Sequence, residues 1–347
     1  MPDRLPGRRR VVRKSGPFRR AGAAVSAVLH DLRVWMAVLA VTVTVLLSAR
    51  MAAEMPQVVQ DGAVLTSTTA LAVWLTVRAG GSAYLGGALA LVVGGAAVAT
   101  REPVLLVGAA VATATVAATL GLLATAPAPR LSDVAREYLL AIGIALVGGL
   151  TAAGYEAPLS TVRAYYLVVG LSLLGTFALV YKLGAGLHGL GRRGVLMIVS
   201  GTLLLFVVLA YTYALSHWGS EGLRTAVDDL DRAVRGAVGA VPRPGQFLLG
   251  FPALAWGVSQ RARRRQGWWF CAFGAVGLAS VTISVIGGTS LGEGLLSVLY
   301  AGVIGLLLGF AVIRADAYLT GTRGRRARLA EEAAAHRPEP PRLTPLM

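Results

Sequence analysis

The sequence predicts an all-helical protein embedded in a membrane, and three observations lead to that fold class. Of the 347 residues, 55% are hydrophobic and only 14% are charged. The mean hydropathy is +0.66. Apolar stretches bounded by arginine, glycine or proline follow one another from residue 34 to residue 313. One soluble core cannot bury so much apolar surface, and in lipid the backbone must satisfy its hydrogen bonds within helices.

About ten apolar segments are predicted to cross the membrane, with both termini in the cytoplasm. The segments are 34–49, 63–77, 82–100, 103–125, 137–154, 164–181, 195–216, 247–259, 268–286 and 291–313. This count puts the arginine-rich connections on the cytoplasmic side, as the positive-inside rule requires. Two segments, 63–77 and 247–259, are shorter than the roughly 20 residues of a full span. Either is alternatively a re-entrant segment.

The net charge of +16 comes almost wholly from arginine, since Lys14 and Lys182 are the only lysines. The basic residues lie mainly in segments predicted to face the cytoplasm, where they set topology and contact anionic lipid. No nucleic-acid partner is therefore expected. The abundance of Ala, Val, Gly, Leu and Arg is typical of a GC-rich, actinobacterial-like genome. We expect a bacterial cytoplasmic membrane.

Three regions are predicted along the chain. Residues 1–33 form a basic cytoplasmic tail with an interfacial helix, 34–314 the transmembrane domain, and 315–347 a disordered, basic and proline-rich cytoplasmic tail. Within the outer loop after the seventh span, apolar residues recur at helical spacing over 221–241. This pattern predicts an amphipathic helix on the outer surface.

Small residues recur at four-residue spacing within several spans. The stripes are Gly86, Ala90 and Gly94, then Thr113, Ala117 and Gly121, then Gly305 and Gly309. Residues four apart share a helix face, so these stripes favour close helix packing. Packing within the bundle is the preferred interpretation, and a partner or dimer interface is the alternative.

Residues that carry chemistry are scarce inside the spans. Ionisable side chains fall at segment ends, and Glu293, just inside the last span, is the best single candidate. The four histidines are scattered, and Cys271 is the only cysteine, so no metal site is predicted. No hydrolase, metalloprotease or nucleotide-binding motif is present. We therefore expect neither a cofactor nor an enzyme, and an intramembrane enzyme using Glu293 is the least favoured interpretation.

Two functions remain open. The first is a non-enzymatic membrane subunit or scaffold of a bacterial envelope complex, which binds a partner through small-residue faces or the outer amphipathic helix. The second is a carrier of a neutral or amphipathic solute, built from two inverted halves of five helices. The carrier cavity would be lined by hydroxyl and aromatic groups and one acid: Thr66, Thr69, Tyr211, Thr212, Ser280, Ser284, Glu293 and Tyr300.

Overall fold

The computed structural model describes residues 32–51, 55–182, 196, 199–207, 210, 221–263, 267–287, 290–320 and 339–346. Within these residues the chain is all-helical, with no strand. The helices are α1 (Leu32–Met51), α2 (Gln57–Arg78), α3 (Ala83–Thr100), α4 (Pro103–Leu123), α5 (Leu131–Ala153), α6 (Thr161–Lys182), α7 (Glu221–Val238), a π-helix (Gly245–Gly250), α8 (Phe251–Arg263), α9 (Gly267–Ala272), α10 (Gly274–Ile286) and α11 (Leu291–Thr320).

Seven helices within the described residues are long and apolar enough to cross a membrane, so the chain is a multi-pass membrane protein. They are α2 to α6, the rod formed by α9 and α10, and α11. Their outward faces carry large apolar side chains, including Leu85 at 74% and Leu307 at 63% exposure. The short predicted segment 63–77 is part of α2, which has 22 residues because it begins six residues earlier, at Gln57.

Three predicted spans are not among these seven. The segment 195–216 is described only at 196, 199–207 and 210, which are helical. The apolar part of α1, Val38–Ser48, is shorter than a span. The segment 247–259 lies in a continuous rod, in which the six-residue π-helix runs directly into the 13 residues of α8. The π-turns directly precede Pro252, which lacks the N–H that a regular helix would use there.

The rod of α9 and α10 forms the centre of the bundle, and 89% of the residues in its 18-residue apolar stretch are buried. It packs against α4, α5, α6, α8, α11 and the π-helix. At its contact with the π-helix two glycines face each other: a Cβ atom on Gly250 would lie 2.2 Å from the backbone nitrogen of Gly277. Larger residues at this crossing would push the backbones apart.

The small-residue stripes pack against neighbouring helices of the same chain. A Cβ atom on Gly305 would meet the Cβ of Phe251 at 2.5 Å, and one on Gly309 would meet that of Ala255 at 2.7 Å. In the first stripe, a Cβ on Gly86 would meet the Thr76 hydroxyl at 2.0 Å. These glycines therefore bring helices together within the bundle.

The polar regions differ in detail from their predicted limits. Residues 1–31, including most of the predicted interfacial helix, lie outside the described residues. The predicted amphipathic helix, α7, ends at Val238, where Gly239 has a φ of +79° and closes the helix through its N–H to Arg235 O. In the tail predicted as disordered, α11 continues to Thr320 and residues 339–346 pack against the bundle.

Candidate functional site

Three arginine side chains converge on the carboxyl end of α4. They bind three successive carbonyl groups: Arg78 Nε donates to Leu123 O at 3.0 Å, Arg342 Nη1 to Ala124 O at 2.9 Å and Arg261 Nη2 to Thr125 O at 2.9 Å. A helix leaves its last carbonyls without partners inside the helix, and the helix dipole makes this end negative. Guanidinium groups satisfy both requirements. We call these arginines and the groups bound to them the arginine end.

Glu137 is the acid at the centre of the arginine end. Its side chain is fully buried in the second turn of α5. Both carboxylate oxygens accept hydrogen bonds from Arg342 at 2.7 Å, in the bidentate geometry that strengthens such pairs. The carboxylate also accepts from the backbone N–H of Ala126 at 2.8 Å and from Arg136 at 3.1 Å. Every side of this buried charge is therefore compensated.

Arg261, near the end of α8, is also fully buried. Its Nη1 donates to the Thr125 hydroxyl at 2.7 Å, and its Nη2 contacts the Glu339 carboxylate at 2.5 Å. The guanidinium carbon lies 3.5 Å from the ring centroid of Trp268, close enough for a cation–π interaction. Within the described structure, its Nε is a buried donor with no hydrogen-bond partner.

Residues 339–346 complete the arginine end. Arg78 Nη1 donates to three carbonyls of this segment, those of Pro340, Pro341 and Thr344, at 2.9 to 3.2 Å. Trp74 Nε1 donates to the Arg342 carbonyl at 3.0 Å. The segment therefore meets the bundle through backbone and side-chain contacts together.

The opposite end of the bundle carries a smaller polar cluster around the π-helix. Gln246 Nε2 donates to the Ser284 hydroxyl at 3.2 Å, and its Oε1 is buried without a hydrogen-bond partner in the described residues. Burial lowers the pKa of the nearby Arg243 guanidinium, while the hydroxyl of Tyr165 acts in the opposite direction. This cluster includes one of the residues predicted to bind a substrate, Ser284.

Among the described residues, the predicted substrate-binding side chains do not converge on one site. Ser280 and Ser284 are buried in α10 and donate to carbonyls of their own helix. Thr66 donates to Gly62 O on an exposed face of α2. On the same helix, the Thr69 hydroxyl is buried without a partner in the described structure. Tyr211 and Thr212 lie outside the described residues.

The other two predicted residues connect α11 with α7. Glu293 forms an ion pair with Arg235, and the Tyr300 hydroxyl donates to Val238 O at 2.9 Å. Within the described residues no three His, Cys, Asp or Glu side chains form a group that could hold a metal ion. The contacts of Glu293 and Tyr300 thus fix the position of α7.

Comparisons with known proteins give no relative: no family model, no curated protein and no solved structure matches this chain.

Sequence reasoning did not identify the arginine end. The sequence patterns placed the arginine-rich connections on the cytoplasmic side, began a span at residue 137 and predicted a disordered tail over 315–347. One signal was present: Glu137 lies beside Arg136 at the start of an apolar run, where a buried charge requires partners. Nothing in the local sequence indicates that Arg342, 205 residues away, supplies them.

Proposed function

We propose that this chain is a non-enzymatic subunit or scaffold of a bacterial envelope complex, in the cytoplasmic membrane. The observation that carries this proposal is the filled centre of the bundle. In the rod of α9 and α10, 89% of the residues in the 18-residue apolar stretch are buried. Its hydroxyl groups at Ser280, Thr282 and Ser284 donate to carbonyls of their own helix. Such hydroxyls stabilise helix packing and leave no donor directed at a solute.

The ten-span topology with both termini in the cytoplasm is part of the proposal. The π-helix and α8 together comprise 19 residues, about 28 Å at roughly 1.5 Å per residue, which approaches the thickness of the hydrocarbon core. Contacts support the full crossing: Gln246 binds Ser284 at one end, and Arg261 binds Thr125 at the other. The π-helix with α8, the helix α1 and the segment 195–216 add three spans to the seven.

The outer helix α7 is the partner surface that fits a subunit best. Its side chains Val227, Leu230 and Val238 are exposed, at 36%, 64% and 46%. Its polar face has ion pairs, Arg232 with Asp229 and Arg235 with Asp231. An exposed apolar stripe on an amphipathic helix marks a contact with a protein or a membrane surface.

The test is chemical crosslinking of the tagged full-length chain in its own membranes, followed by extraction with lipid retained and measurement of the stoichiometry of what co-purifies. We expect a stoichiometric partner that is lost in Leu230→Gln. The matched control is Asp229→Asn, a neighbouring change on the polar face, which should retain the partner. A solitary chain, or a partner equally retained by both variants, would contradict the proposal.

A second candidate function is a carrier of a lipid-like solute, and one observation favours it. A cavity of about 280 Å³ lies between α2, α3 and α4, with almost entirely apolar walls. Its polar groups include the hydroxyls of Thr68, Thr113 and Tyr155, and Thr68 Oγ1 lies 3.0 Å from the Tyr155 hydroxyl. Burial raises the pKa of the Tyr155 hydroxyl above its ordinary value.

One wall of this cavity is formed by α3, the least buried of the seven spanning helices at 17%. Reconstitution in liposomes tests the carrier. Ala112→Leu fills the cavity and should reduce uptake of an amphipathic solute. Ala88→Leu, at an exposed residue outside the cavity, is the control and should retain uptake. This pair of results would favour the carrier over the subunit.

A further inference from the structure

The arginine end binds residues 339–346 as a groove binds a peptide. Pro340 and Pro341 have no N–H to donate, and the chain turns after them, since the N–H of Thr344 donates to Pro341 O at 2.9 Å. Arg78 donates to the carbonyls of Pro340 and Pro341, and Trp74 donates its indole N–H to the carbonyl of Arg342. An aromatic side chain beside proline-containing backbone is also a feature of grooves that bind proline-rich peptides.

The side chains of the segment add charge complementarity. Glu339 meets the buried cation Arg261, and Arg342 meets the buried anion Glu137. The acid and the base are three residues apart in the segment, and their partners belong to different helices, α8 and α5. A peptide with the charges exchanged would place like charges together in a buried site, which is costly.

An apolar anchor completes the contact. The side chain of Leu343 is 6% exposed and belongs to a cluster that includes Leu71 and Trp74 of α2 and Leu120 of α4. The backbone N–H of Leu346 donates to Arg78 O at 3.1 Å. The segment therefore has an acid, a proline pair, an arginine and a leucine in fixed order, each with its own position on the bundle.

We propose that the arginine end is a recognition site for peptide segments of this chemistry: a carboxylate, then two prolines, then a turn that presents an arginine and an apolar residue. Residues 339–346 are its resident occupant. A second polypeptide with such a segment competes for the same groups. This site is distinct from the α7 surface, and the inference does not depend on the subunit function.

Covalent attachment gives the resident segment an advantage over any free peptide. A segment that is joined to its own binding site by a short linker has an effective concentration in the millimolar range. If a free peptide binds the vacant site with a Kd of about 10 μM, an effective concentration of about 1 mM weakens its apparent binding about 100-fold. Displacement therefore requires a partner held close by, as in a membrane complex.

The test measures binding of a fluorescent peptide with the sequence of residues 336–347 to the full-length chain in lipid nanodiscs. The receiving variant has its own segment weakened by three substitutions: Glu339→Gln, Arg342→Gln and Leu343→Ala. We expect saturable binding to this variant and at least 30-fold weaker binding to the unmodified chain. Adding Arg261→Gln to the variant should abolish the binding.

Two controls make the result decisive. A peptide of the same composition in scrambled order should not bind, and a peptide with Glu339 and Arg342 exchanged should bind at least tenfold more weakly. If the triple variant fails to fold, excess peptide added to the unmodified chain must still accelerate proteolysis of residues 339–346. Equal binding of the native and scrambled peptides, or no effect of excess peptide on proteolysis, would overturn the proposal.

Discussion

The two ends of the bundle both pair arginine with carboxylates, but they do so at different depths. At the arginine end Glu137 and Arg261 have side chains that are fully buried. At the opposite end Arg101 and Asp61 are 37% and 18% exposed, with 2.5 Å between Nη2 and Oδ2. A short distance therefore does not by itself indicate a strong contribution, because water and counterions screen the exposed pair.

The buried end also differs in what surrounds each charge. Glu137 accepts hydrogen bonds from two arginines and from a backbone N–H, whereas the Asp229–Arg232 pair lies on one exposed helix face. Burial of a charge is costly unless its hydrogen-bonding capacity is satisfied. The comparison predicts a graded set of stability effects, from the centre of the arginine end to the exposed pairs.

The largest effect is expected for Glu137→Gln. This change removes the buried carboxylate that binds Arg342, whose side chain is 26% exposed, and breaking a buried ion pair costs about 3–5 kcal/mol in the free energy of unfolding. Denaturant titration in bicelles, followed by tryptophan fluorescence, measures it. Glu156→Gln, at an exposed acid of the opposite end, is the control. An equal decrease in the free energy of unfolding for Glu137→Gln and Glu156→Gln would contradict the difference between the two ends.

A smaller but still large effect is expected for Arg78→Gln. The variant loses the donor to Leu123 O and to three carbonyls of the 339–346 segment. Water can hydrate the three segment carbonyls once the segment undocks, so the net loss is mainly the bond to Leu123 O. A hydrogen bond to a charged group is worth about 1.5–3 kcal/mol, and the unfolding free energy should fall by about that amount. The same titration applies, with Arg163→Gln as the exposed control. A loss below that of the control would show that the carbonyls find other partners.

An intermediate, local effect is expected for Leu343→Ala. Burial of a leucine side chain is worth about 2 kcal/mol, so the population of undocked segment should rise about 30-fold. Limited proteolysis within residues 339–346 should accelerate accordingly, while the unfolding of the helices is unchanged. Leu319→Ala, at a residue that is 79% exposed, serves as the control. Unfolding of the whole bundle would contradict independent docking.

The smallest effect is expected for Arg101→Gln. Exposed ion pairs contribute at most about 1 kcal/mol, and high salt reduces that further. The unfolding free energy should therefore change by less than about 1 kcal/mol, and the difference from the unmodified chain should vanish in 1 M salt. A salt-resistant loss larger than that of Arg78→Gln would reverse the order of the two ends.

Much of the fold was predictable because lipid imposes it. Length and apolarity locate seven spanning helices close to the expected segments, since a helix in lipid must be continuous. The errors lie at polar helix ends: α2 begins at Gln57 and α5 at Leu131, six residues before the apolar run that marks each. Polar first turns are part of these helices but lower the local hydropathy.

The candidate site was less predictable because it depends on contacts between distant residues. Ser280 and Ser284 are of a residue type that often lines a polar cavity, yet their hydroxyls donate to carbonyls of their own helix. The spacing of hydroxyl residues in the sequence does not distinguish these two roles. Docking of residues 339–346 depends on groups from α2, α4, α5 and α8 together. Local sequence gives a proline-rich segment the signature of disorder in either case.

The most direct test of this account is site-specific photocrosslinking from position 346. Leu346 is partly buried, and its N–H binds Arg78 O, so benzoylphenylalanine at this position should crosslink within the same chain to the end of α2. Mass spectrometry of the digested protein identifies the linked peptide, and the same photoprobe at position 319 should give no such link. Crosslinks from position 346 to lipid or other proteins alone would contradict the docked segment at the arginine end.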